Sequence, residues 1–76
     1  MKRTMAVSAA LAALAAEQAG DLAGAADLYL RAGRGAAAQE DGVLAREWLH
    51  RAVTLSRDPG LLASAQSALT SITDRH

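Results

Sequence analysis

The sequence predicts an all-α domain, a small bundle of four antiparallel helices arranged as repeat-like hairpins. Large apolar residues recur at spacings of 3 and 4, and no segment shows the period-two alternation of a half-buried strand. Helix-ending and helix-starting residues stand side by side at Gly20-Asp21 and at Asp58-Pro59. Half of the 76 residues are hydrophobic, which suffices for collapse into one domain spanning residues 1–76.

Helix 1 is expected over about residues 4–19, where Val7, Leu11, Leu14 and Gln18 recur as one face. Gly20 suits the left-handed position that ends a helix, and Asp21 can cap the next one. So short a joint implies a tight hairpin. Helix 2, about residues 21–33, carries Leu22, Ala25, Ala26, Leu28, Tyr29, Leu30 and Ala32 around most of its circumference. A surface helix has a narrower apolar stripe, so helix 2 is expected at the centre, covered on more than one side.

The segment Gly33–Gly42 holds three glycines and reads as a loop or one short helical turn. Asp41 is expected to cap helix 3, about residues 43–57. This helix is amphipathic: Leu44, Ala45, Trp48, Leu49, Ala52, Val53 and Leu55 oppose Arg46, Glu47, His50, Arg51 and Thr54. Glu47 precedes Arg51 by one helical turn, the favourable order for an ion pair. Helix 4, about residues 59–73, begins with Asp58 as cap and Pro59 in the first helical position. Leu61, Leu62, Ala65, Ala68, Leu69 and Ile72 form its core face.

Composition narrows the function. Without cysteine there is neither a disulfide framework nor a thiolate metal site. A net charge of zero argues against general binding to nucleic acid or membrane surfaces, which needs a basic excess. Residues 1–16, "MKRTMAVSAALAALAA", have the charged start and apolar run of a secretory signal, with Ala13 and Ala15 as an Ala-x-Ala site. The helical spacing of the larger residues favours a mature helix and a cytoplasmic protein, with secretion as the alternative if residues 1–16 are a signal peptide. Histidine occurs at His50 and His76 alone. No nucleophile–base pair, metal-ligand spacing or phosphate loop accompanies them, so no enzyme activity, cofactor or metal is expected.

The hairpin of residues 6–33 resembles a tetratricopeptide repeat. Ala13 stands at the small position of the first helix, Gly20 and Leu22 mark the turn, and Ala25, Tyr29 and Ala32 follow at the family's intervals. "AREWLHRAVTLSRDP" resembles the back helix of a second repeat through Ala45, Leu49 and Ala52. A runner-up resemblance is to the microtubule-interacting and trafficking domain, a three-helix bundle, through "AAEQAGDLAGAADLYLRA" and "EWLHRAVTL". Both resemblances imply a helical scaffold that binds a peptide or protein, the second through a groove between helices.

The expected function is therefore a non-catalytic interaction module, an adaptor or partner subunit, that binds a peptide or helix or self-associates as a homodimer. The alternative is a small-molecule binding protein or minor enzyme of a bacterial pathway, with a cavity near Trp48 and His50. The candidate partner-binding residues are Tyr29, Trp48, and a basic side of Arg31, Arg34, Arg46, His50 and Arg57 that suits an acidic partner segment. An apolar strip near Tyr29, Trp48 and residues 33–42 is expected to stay open in the monomer.

Overall fold

The computed structural model of the chain describes residues 2–74, with side chains placed for residues 7–72. Four helices follow one another: α1 (Lys2–Gln18), α2 (Leu22–Ala38), α3 (Gly42–Leu55) and α4 (Pro59–Asp74). Three-residue connections join them, and there is no strand among the described residues.

The first two connections use the same device. At the end of α1, the Gly20 N–H donates to the Glu17 carbonyl (3.1 Å) and the Asp21 N–H to the Ala16 carbonyl (2.9 Å). At the end of α2, the Glu40 N–H donates to the Ala37 carbonyl (3.0 Å) and the Asp41 N–H to the Ala36 carbonyl (2.9 Å). This pair of bonds closes a helix around one left-handed residue. Gly20 fills that position with φ 88°, and Glu40 fills it with φ 60°. Each aspartate then caps the next helix: Asp21 Oδ1 accepts from Gly24 N–H (3.0 Å) and Asp41 Oδ1 from Leu44 N–H (3.3 Å). The third connection differs. Asp58 Oδ1 accepts from Gly60 N–H (3.3 Å), the Asp58 N–H donates to Ser56 Oγ (3.1 Å), and Pro59 opens α4.

The recurrence continues into the helices at several buried positions 20 residues apart, following the pair Asp21 and Asp41. Ala25 and Ala45 are fully buried, as are Ala32 and Ala52, and Tyr29 corresponds to Leu49. On the preceding helices Ala13 corresponds to Gly33, both buried. Small residues therefore stand wherever one helix backbone must approach the next.

Two expectations need correcting. Helix 2 does not stop at Gly33 but continues to Ala38, so residues 33–38 are neither loop nor a separate turn. Gly33 is a contact residue: a Cβ there would lie 2.6 Å from Leu49 Cγ and 3.3 Å from the Ala45 carbonyl oxygen. The helix tolerates the glycine because α3 lies against it. Helix 3 ends at Leu55 rather than residue 57, because Ser56 is extended and its N–H closes the last turn on Ala52.

α2 is the central helix, as its broad apolar arc predicts. It packs against both α1 and α3, while α4 packs mainly on α3 and touches α2. Its buried residues are Ala25, Ala26, Tyr29, Leu30, Ala32, Gly33 and Ala36. Among the described residues Leu49 is the largest side chain sealed completely from solvent, so most of the core is methyl groups in close contact. The molecule is a slab, 35 × 29 × 15 Å across its principal axes.

Candidate functional site

α1 and α3 both lean on α2 and leave a groove between them. Its floor is built around Tyr29, in the middle of α2. The ring is 3% exposed, and its hydroxyl donates to Glu17 Oε1 of α1 at 3.1 Å. Arg51 of α3 reaches the same carboxylate oxygen at 3.6 Å, with its guanidinium 5.7 Å from the Tyr29 ring centroid. That distance lies within the range of a cation–π contact. One cluster thus ties the three helices together. The ion pair is largely exposed and contributes at most about 1 kcal/mol. Burial, then the hydrogen bond and charge of Glu17, push the Tyr29 hydroxyl pKa upward, against a smaller opposing effect of Arg51.

On one side of this cluster the groove is apolar. Val7, Ala10, Leu11 and Leu14 of α1 face Trp48 of α3 around a depression of about 310 Å³. Val7, Leu11 and Leu14 are 42%, 64% and 42% exposed, while Trp48 is half-buried. On the other side the groove turns polar. Glu17, Glu47, His50, Arg51, Thr54 and Leu55 line a second depression of about 360 Å³. Glu47 and Arg51 line both depressions and mark the border between them.

No known protein family, curated protein or solved structure matches the chain.

The groove gathers three of the expected site residues: Tyr29, Trp48 and His50. The basic residues are dispersed. Arg31 is exposed on α2 and pairs with Asp27 at 3.2 Å. Arg34 borders a separate depression of about 590 Å³ between α2 and α4, walled mostly by Ala37, Ala38, Ser64, Ser67 and Ala68. Small side chains give that hollow little to grip with. Arg57 lies past the end of α3, beside Leu22 and Asp27, so it does not continue a line of Arg46 and His50 along one helix face. Arg46 is exposed on α3. His76 lies outside the described residues.

The open apolar strip borders Trp48 but not residues 33–42, most of which complete α2. Tyr29 is buried in the chain's own core, and the open strip is the Val7–Leu11–Leu14 face of α1. Their helical spacing was legible, but spacing alone does not say whether a face is covered. The distinguishing signal is the alanine at position 13: fully buried, it lies off the face formed by Val7, Leu11 and Leu14. Arg51 follows Glu47 by one helical turn, yet it reaches across to Glu17. That pairing depends on helix packing and has no local sequence signal.

Proposed function

We propose that this chain is a non-catalytic helical interaction module whose α1–α3 groove receives a helical segment of a polypeptide. The observation that carries this reading is the row Val7, Leu11 and Leu14, exposed at helical spacing opposite Trp48. Apolar side chains spaced along a groove match the anchor pattern of an amphipathic helix. Trp48 suits the role of a partly open anchor, since tryptophan is enriched where binding energy concentrates. The polar end carries carboxylates of Glu17 and Glu47 against the guanidinium of Arg51, so it orients a partner without demanding an acidic one.

The tetratricopeptide-like reading belongs with this proposal, supported by small residues at the helix seams and by a left-handed turn before the Asp21 and Asp41 caps. No described helix is long and apolar enough to cross a membrane, and we place the module in the cytoplasm as part of the same reading.

The test is selection of helical peptides from a displayed library against the folded chain, followed by amide chemical-shift mapping. Perturbations are expected along Val7–Leu14 and at Trp48, with Trp48→Ala weakening binding by about tenfold or more. Binders that map to the α2–α4 hollow instead would sink the reading. Preferential binding of small molecules at Glu47 and His50 would favour the alternative of a small-molecule site or minor enzyme.

A further inference from the structure

Along α1, charge is confined to the two ends. Lys2 and Arg3 open the helix and Glu17 stands at its close, with no charged residue between them. This order runs against the helix dipole, whose start favours carboxylates and whose end favours cations. Arg51 answers Glu17 at one end. A neighbouring helix running the opposite way would answer both, by bringing an acidic end beside the basic start.

Between those ends α1 has the exposed row Val7, Leu11 and Leu14, with Ala10 beside it in the groove wall. A two-fold axis passing between positions 10 and 11 sets Val7 against Leu14 of the partner subunit and Leu11 against Ala10 of the partner subunit. Large side chains then face small ones across the centre, which lets two helices interdigitate. A two-fold contact must be self-complementary in this way. With no charge from residues 4 to 16, nothing in the stretch repels its own copy.

We propose that the occupant of the groove's apolar end is a second copy of this chain: two α1 helices lie antiparallel, each closing the other's groove against Trp48. The proposal rests on the groove reading above and names its partner. A contact one helix long is small among stable interfaces, so the dimer forms and dissociates with concentration.

The test is sedimentation equilibrium of the parent between about 10 μM and about 1 mM, the range in which so limited a contact associates. The average mass is expected to rise from the 7.8 kDa monomer towards its double. Leu11→Glu, which sets two carboxylates near the axis, is expected to weaken dimerisation about tenfold or more while leaving helicity unchanged. Leu11 is exposed in the monomer, so folding is not at stake. The chain has no cysteine, so Ala10→Cys can be joined by a short bismaleimide. Val43→Cys, at the exposed start of α3, is expected to stay unlinked. A parent that remains monomeric throughout overturns the proposal, as does a dimer that ignores Leu11→Glu and links equally at Val43. If selected peptides still map to the groove of a strictly monomeric parent, self-pairing alone is lost; if they map elsewhere, the groove reading goes with it.

Discussion

A methyl group added to Gly33 would press on Leu49, which is completely buried and has no room to retreat. Gly33→Ala gains helix propensity of about 1 kcal/mol but overpacks the α2–α3 seam, where such insertions cost about 1–3 kcal/mol. The balance is expected to be a net loss of stability, read as a lower urea midpoint. Glu40 presents the opposite case. It holds a left-handed φ of 60° at an exposed position where glycine would be unstrained. Glu40→Gly is expected to stabilise the fold by about 1 kcal/mol in the same titration, since the left-handed conformation costs other residues about that much. Tyr29 supplies a pH dependence. Its folded-state pKa lies above the ordinary 10.0, because burial and Glu17 both disfavour the phenolate. Its contribution is therefore complete below about pH 10 and is lost as pH rises through the folded-state value. Thermal melts are expected to show a fall in stability above about pH 10 that Tyr29→Phe reduces.

The helices are unequal in how firmly they are held. α2 is covered on two sides, whereas α1 buries Ala13 fully and leaves Val7, Leu11 and Leu14 exposed. Amide protection follows buried contact, so hydrogen exchange is expected to release α1 before α2 and α3. Uniform protection across α1 and α2 in a monomeric sample would contradict this ordering. The same inequality explains what the sequence could tell. Capping aspartates, Gly20 and Pro59 are local signals, and the helix starts they announce are where they should be. The end of α2 was hidden because a glycine inside a helix and a glycine after one look alike; Gly33 is explained only by Leu49, sixteen residues away and across a seam. The groove was half legible. Tyr29, Trp48 and His50 stood out as rare residue types, but the exposed wall of α1 and the Glu17–Arg51 bridge depend on which faces the packing leaves bare.

At the scale of the whole molecule, a slab 15 Å thick has little interior, and methyl-sized contacts fill most of it. Each seam uses its area by bringing backbones close, and this places the stability in the sum of neighbouring contacts more than in one central nucleus. Loss of one seam is then expected to be felt locally first, in keeping with the early release of α1.

The matching turns before Asp21 and Asp41 make the stretch from Gly20 to Gln39 a splicing cassette. Its two borders are chemically interchangeable, so a duplicated cassette would add one helix and hand the chain to α3 in its original register. Insertions of other lengths would have no such junction and would rotate every alanine away from its seam. A chain carrying residues 20–39 twice is expected to gain helical ellipticity and to melt no lower than its parent, whereas one carrying 30–39 twice is expected to lose cooperative melting. The length of this protein can thus grow in whole helices, one turn-to-turn step at a time.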